Sequence, residues 1–291
     1  MTSPADWVAG ARPRTLPAAV SPVLAGTGVA AYADGVVWWK ALLALVVALA
    51  LQVAVNYAND YSDGVRGTDD DRVGPMRLVG SGRATPSSVK AAAFLAFGVA
   101  AVAGLVLAAT TAWWLVLVGL VSIVAAWFYT GGSKPYGYLG LGEVMVFCFF
   151  GLVAVLGTVY VQTESWFWPG LYAAIGIGAL ACAILVANNL RDIPTDTVAG
   201  KRTLAVRLGD SRTRGLYALL VLAAAVAVLA VAVSSTWWAL LGLAFLVPGL
   251  RASRVVTGGA AGPALIPVLQ LTGVAELLWA VGVAVGLAAG R

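Results

Sequence analysis

"ALLALVVALALQVAVNYANDYSDGVRGTDDDR", residues 41–72, joins two incompatible environments. Residues 41–55 carry no charge, whereas residues 58–72 hold five aspartates and two arginines. An apolar run of about 20 residues is what one helical membrane span needs. The acidic half must lie outside the hydrocarbon, where a bare charge is costly. The stretch reads as a transmembrane helix running into a heavily charged polar segment.

The rest of the chain repeats the apolar half. Its 291 residues are 61% hydrophobic and 11% charged, with mean hydropathy +0.92. Soluble domains carry about 25% charged residues. Strand-like alternation is absent, so the spans are helices rather than barrel strands. The expectation is an all-α, polytopic membrane protein forming a single transmembrane domain over residues 1–291. Nine spans are predicted, at 16–33, 38–57, 88–109, 112–129, 141–161, 167–189, 216–233, 235–250 and 265–289. The first mimics a signal peptide. Pro17 and Pro22 interrupt it, and the rest of the chain is itself membrane-embedded, so it is retained as a span.

Nine spans sort the basic residues sharply. Lys40 and Arg291 fall on one side, and the remaining 16 of 18 fall on the other. The positive-inside rule makes the crowded side cytoplasmic. That places the N-terminus in the cytoplasm and the C-terminus outside, in the plasma membrane of a bacterial cell. The formal charge of +5 is then a topology signal, and no nucleic acid partner is needed.

Two long cytoplasmic loops are expected, at about 58–87 and 188–215. Each opens with Asn-x-x-x-Asp: Asn59 with Asp63, and Asn188 with Asp192. The second pair follows the first by a constant interval, 129 positions. A duplicated four-span unit, about 16–129 and 141–250 plus a ninth helix, is one way to produce it. Residues four apart share a helix face. Asp196 would continue the second row, but Pro194 predicts a kink or stop near Asp192, with Asp196 on irregular chain. Asp69, Asp70 and Asp71 lie beyond Gly64 and Gly67, on a loop.

Crowded carboxylates near a low-dielectric interior require a cation. The chain has no histidine, and its cysteines, Cys148 and Cys182, sit in apolar runs as small hydrophobes. Hard oxygen donors favour Mg²⁺, which takes one or two carboxylates plus water and phosphate oxygens. Two acidic clusters suggest two or more Mg²⁺ bridged by a polyanion. Asn59, Asp60, Asp63, Asp69, Asn188, Asp192 and Asp196 are the candidate ligands. Arg72, Lys134, Arg191, Lys201 and Arg202 are placed to hold diphosphate oxygens.

Residues 129–140, between spans 4 and 5, mix Gly, Pro and Tyr around Lys134. Tyr136 and Tyr138 read either as walls of an aromatic pocket or as interfacial anchors. Glu143 enters the next span, either as a functional acid or as the partner of a loop arginine. Glu276 stands alone in the last span. Arg12 and Arg14 either meet a substrate carboxylate or lipid phosphate, or serve topology alone.

These motifs resemble the UbiA superfamily of intramembrane aromatic prenyltransferases. Asn59-x-x-x-Asp63 followed by Asp69 is similar to its first aspartate-rich motif. Asp192-x-x-x-Asp196-x-x-x-Gly200-Lys201 is similar to its second. "ARPRTLPAAVSPVLAG" from residue 11, "YTGGSKPYGYLGLGE" from 129, "NNLRDIPTDTVAGKRTLAVRLG" from 188 and "LIPVLQLTG" from 265 resemble the 1,4-dihydroxy-2-naphthoate polyprenyltransferases of menaquinone synthesis. The resemblance implies nine helices around a central cavity and Mg²⁺-dependent transfer from polyprenyl diphosphate to 1,4-dihydroxy-2-naphthoate, with decarboxylation to demethylmenaquinol. It gives Asp63, Asp192, Lys134 and Lys201 catalytic roles. Rival acceptors within such a fold are 4-hydroxybenzoate, haem, a chlorophyllide and homogentisate. A secondary transporter is the rival from another class. It would carry its charges near the midplane, whereas these gather at one face.

Overall fold

A computed structural model describes residues 2–67 and 76–291. Asp69, Asp70, Asp71 and Arg72 lie outside the described residues. The described chain is helical: α1 (Pro4–Ala11), α2 (Pro17–Tyr32), α3 (Trp38–Arg66), α4 (Pro86–Ala109), α5 (Leu115–Phe128), α6 (Gly142–Thr163), α7 (Trp168–Val198), α8 (Leu204–Ser234), α9 (Trp237–Thr257) and α10 (Gly262–Ala289). Seven of these are long and apolar enough to cross a membrane. The segments Pro4–Thr15 and Pro17–Tyr32, bent by 50°, bring the count to as many as eight. α5, expected as a span, has 14 residues and falls short of the usual length.

Local chemistry sets the helix ends. Ser3 and Asp6 form a reciprocal capping box ahead of α1. Thr85 caps α4, with Pro86 in its first turn. Both acidic segments correct the expected loops. α3 runs on to Arg66, so Asn59 and Asp63 lie on a helix, one turn apart. α7 continues through Pro194 to Val198. The proline removes one donor without stopping the helix, and Asp196 extends the row of Asn188 and Asp192 instead of standing on irregular chain.

α7 is the axis of the bundle, with 72% of its apolar window buried. It packs against α2, α6, α8 and α10. Lipid tails are as apolar as leucine, so close van der Waals fit holds such helices together. Gly151 of α6 meets Gly178 of α7 so closely that a methyl group on Gly151 would stand 2.7 Å from the Ala174 carbonyl oxygen. Buried polar groups are paired across helices. Trp279 Nε1 donates to the Ala224 carbonyl at 2.9 Å, and the Tyr217 and Thr272 hydroxyls share a 2.7 Å bond. Leu95, Val102, Leu117 and Leu229 are exposed on the flanks, where lipid would cover them.

The two rims of the bundle differ. Trp38, Trp39, Trp113, Trp114, Trp166, Trp168, Trp237 and Trp238 are all exposed, and all sit at the helix ends remote from the aspartates. Such rings settle at the membrane–water interface. The opposite rim carries the two acidic helix ends, and a cavity opens between them.

Candidate active site

The cavity encloses about 1180 Å³. The ends of α3 and α7, the connection before α6, the N-terminal segment and α10 surround it. Asn59 and Asp63 line it from α3. Asn188, Asp192 and Asp196 line it from α7. The two sequence motifs therefore meet across one space.

Asp63 is the best-connected acid of the first motif. Tyr138 donates its hydroxyl to Asp63 Oδ1, and Arg77 Nη2 lies 3.5 Å from Oδ2. Lys201 Nζ lies 4.0 Å from Asp63 Oδ1 and 3.9 Å from Asp196 Oδ1. One ammonium group thus stands between the two motifs, over the ring of Tyr138 at 4.6 Å. Asn59 Oδ1 accepts the Thr130 hydroxyl at 2.7 Å.

The end of α7 explains how Lys201 arrives there. Gly200 adopts a left-handed conformation, φ +71°. Its N–H donates to the Thr197 carbonyl, and the Lys201 N–H donates to the Asp196 carbonyl at 2.9 Å. This Schellman turn reverses the chain and needs glycine at its pivot. It lays the lysine back over the last acid of its own helix. Arg191 organises the other acid: Nε and Nη2 donate to the two oxygens of Asp192, and Nη2 also reaches Asn188 Oδ1 at 2.9 Å. Its Nη1 is buried with no hydrogen-bond partner among the described residues, a donor available to a ligand oxygen.

Asp60 has a different task. Its side chain is fully buried, accepting the N–H of Leu78 at 2.7 Å and of Val79 at 3.1 Å. It does not line the cavity. One turn before Asp63 on α3, it ties down the chain that returns towards α4. Three other expected contacts also miss the cavity. Lys134 is exposed on the connection before α6. Tyr136 donates to the Ala125 carbonyl at 2.7 Å. Arg202 points outward and uses its backbone N–H to hold the Tyr138 carbonyl. Adjacency in sequence put these residues near the acids, but the turns aim their side chains elsewhere. Arg12, Arg14, Arg191, Lys201 and Tyr138 do line the cavity.

A model of the UbiA prenyltransferase family matches residues 19–262. The chain belongs to this family. It is 60% identical over 291 residues to the 1,4-dihydroxy-2-naphthoate octaprenyltransferase of Mycobacterium tuberculosis, covering 100% of this chain and 99% of that protein. It is 39% identical over 230 residues to the Escherichia coli enzyme of the same description, covering 74% and 72%. Among solved structures, the UbiA homologue of Aeropyrum pernix superposes with TM-score 0.73 at 14% identity, covering 92% and 97%. The Archaeoglobus fulgidus homologue bound to GPP and Mg²⁺ superposes with TM-score 0.63 at 14% identity, covering 97% and 99%. The fold is the UbiA fold.

Sequence reasoning missed several residues of this UbiA cavity: Arg66, Arg77, Thr130, Tyr129 and Asn189. Arg66 spans the cavity edge, donating to the Thr130 and Gly132 carbonyls. Arg77 drew notice only as a topology charge. The doubled Asn188-Asn189 was the signal available for Asn189. Burial pushes the Tyr136 phenol above its usual range. Glu276 is fully buried in α10, outside the cavity lining, and among the described residues neither carboxyl oxygen has a hydrogen-bond partner.

The donor set fits Mg²⁺ held jointly with a substrate. Among the described residues no three acids or cysteines converge on a closed metal cage. Instead, Asp63, Asp192 and Asp196 present separate carboxylates around one open space. That is the arrangement for an ion completed by water and phosphate oxygens.

Proposed function

We propose that this chain transfers a long polyprenyl group from polyprenyl diphosphate to 1,4-dihydroxy-2-naphthoate, releasing diphosphate and the ring carboxylate, with two or more Mg²⁺. The meeting of Asp63 and Asp196 around Lys201, at one end of a large cavity, carries this reading. The names of the similar proteins supply the ring substrate. The description of the solved homologue supplies the pairing of Mg²⁺ with a prenyl diphosphate.

The residues divide the work. Asn59, Asp63, Asn188, Asp192 and Asp196, joined by Asp69, would hold the metal. Bound Mg²⁺ neutralises the charge that builds on the departing diphosphate. Lys201, Arg191, Arg77 and Arg72 add hydrogen-bond donors to its oxygens. Val146, Phe150, Ile184 and Leu269 give the cavity an apolar wall that keeps water from the allylic cation. The electron-rich ring is itself the nucleophile, so a chain without histidine suffices.

The same reading places the acidic rim in the bacterial cytoplasm, with α5 and the bent N-terminal pair completing nine spans and the C-terminus outside. The paired Asn-x-x-x-Asp motifs on α3 and α7 are consistent with a duplicated four-helix unit.

Membranes containing Asp63→Ala or Asp192→Ala, supplied with dihydroxynaphthoate, prenyl diphosphate and Mg²⁺, should lose nearly all turnover. Chelation should abolish wild-type turnover, and added Mg²⁺ should restore it. Near-normal rates in both variants would refute the metal assignment. Product with 4-hydroxybenzoate in place of dihydroxynaphthoate would overturn the choice of ring.

A further inference from the structure

One pair of buried side chains beside the cavity has no place in diphosphate binding. Asn189 lies on α7, one helical turn deeper than Asp192, and lines the cavity. Its Nδ2 donates to Glu143 Oε1 at 3.0 Å. Its Oδ1 makes no hydrogen bond with the described residues. Glu143 is buried in the first turn of α6, and its Oε2 has no hydrogen-bond partner among the described residues. The Cys182 thiol donates to the Glu143 backbone carbonyl at 3.1 Å, fixing this end of α6 to α7.

The pair sets the polarity of an amide. In this bond Glu143 Oε1 is the acceptor and the Asn189 NH₂ the donor. Glu143 therefore draws the NH₂ of Asn189 towards itself, leaving the carbonyl oxygen for the cavity. A bare acceptor is the wrong group for a diphosphate, which is itself an acceptor-rich anion. It is the right group for a hydroxyl donor. The surroundings fit a flat ring: Tyr129, Val146, Phe150 and Leu185 line the cavity on the same side. Gly142 keeps that corner open, since a methyl group there would stand 3.3 Å from Leu185 Cδ2 and 3.5 Å from the Tyr129 hydroxyl.

We propose that Asn189, oriented by Glu143, accepts a hydrogen bond from a ring hydroxyl of the aromatic substrate. Asn189 touches the substrate, and Glu143 is a positioning residue acting through it. The assignment rests on the prenyl-transfer reading above. It adds that recognition of the ring occurs one turn below the diphosphate clamp, through an acceptor whose direction is fixed by a buried acid.

The test pairs the protein with the ring. The two mono-O-methyl ethers of dihydroxynaphthoate are measured as competitive inhibitors against wild type, Asn189→Ala, Glu143→Gln and the double variant. Wild type should bind one ether about tenfold more weakly than it binds dihydroxynaphthoate, the size of one lost hydrogen bond. Asn189→Ala should bring the two within about threefold. Glu143→Gln, whose amide can either accept from the Asn189 NH₂ or donate to its carbonyl oxygen, should also reduce this discrimination and raise KM for dihydroxynaphthoate. KM for prenyl diphosphate should stay within about twofold. The double variant should be no worse than Asn189→Ala alone. Asn189→Ser carries the same test if the alanine variant does not accumulate. Unchanged discrimination in Asn189→Ala, or equal rises of both KM values in Glu143→Gln, would overturn the proposal. If wild type prenylates a different hydroxyarene, the choice of ring fails, and the same comparison with that arene's methyl ether decides the Asn189 assignment.

Discussion

Arg191 grips its own chain neighbour. Nε donates to Asp192 Oδ1 at 2.7 Å, and Nη2 donates to Oδ2 at 2.6 Å. The guanidinium is buried, and Nη2 also holds Asn188. A planar fork matches both carboxylate oxygens, which an ammonium group cannot do. Arg191→Lys should therefore lower kcat/KM for prenyl diphosphate by about 10- to 100-fold despite conserved charge. Steady-state rates in membranes measure this, and an unchanged value would remove Arg191 from the clamp.

Asp60 and Asp63 should fail in different ways. Asp60 accepts two backbone N–H groups, and Asp60→Ala would leave both without their acceptor. An unsatisfied buried donor costs about 1–3 kcal/mol. Asp60→Ala should lower the Tm in detergent, while the correctly folded fraction keeps its KM for prenyl diphosphate. Asp63→Ala should lose turnover even in the folded fraction. The reverse pattern in thermal unfolding and rate assays would exchange the two assignments.

Lys201 and Lys134 make a second contrast. Lys201 lies against Asp63 and Asp196, whereas Lys134 is exposed beyond the cavity. Lys201→Gln should raise KM for prenyl diphosphate at least tenfold. Lys134→Gln should change it by less than about threefold, the scale of an exposed charge. A large effect at Lys134 would mean that the connection before α6 folds inward on substrate.

Gly200 tests how Lys201 is delivered. Its left-handed backbone costs a side-chain-bearing residue about 1–2 kcal/mol. A methyl group there meets nothing within 4 Å, so conformational cost is the whole effect. Gly200→Val should weaken diphosphate binding in the same direction as Lys201→Gln. Gly200→Asn should be milder, because asparagine tolerates this conformation. Equal KM values for the valine and asparagine variants would show that the turn does not govern the lysine.

Much of this is legible in the sequence. The change from residues 41–55 to residues 58–72 announced a membrane helix with a charged end. The matched spacing of Asn59/Asp63 and Asn188/Asp192 announced two jaws. The errors came where direction, rather than proximity, decides. Asp60 and Asp63 are three residues apart, yet one faces the cavity and the other the protein. Pro194 argues for a helix stop, but α7 continues through it to Val198 and turns at Gly200. Lys134 and Arg202 sit close to cavity-lining residues in sequence, but turns point them outward. Asn189 was hidden by its neighbour Asn188, and only the contact with Glu143 in another helix separates their tasks.

The tryptophan-bearing rim has a mechanical consequence. Eight indoles collar one edge of the bundle, whereas basic side chains predominate at the edge with the aspartates. A change in bilayer thickness costs fractions of a kcal/mol per ångström and must be taken up somewhere. Long Lys and Arg side chains snorkel where indoles stay put, so a thicker membrane would draw the clamp deeper and a thinner one would lift it towards water. Bilayer thickness then acts as a vertical adjustment of the site, altering how readily a charged diphosphate enters without moving any residue relative to another.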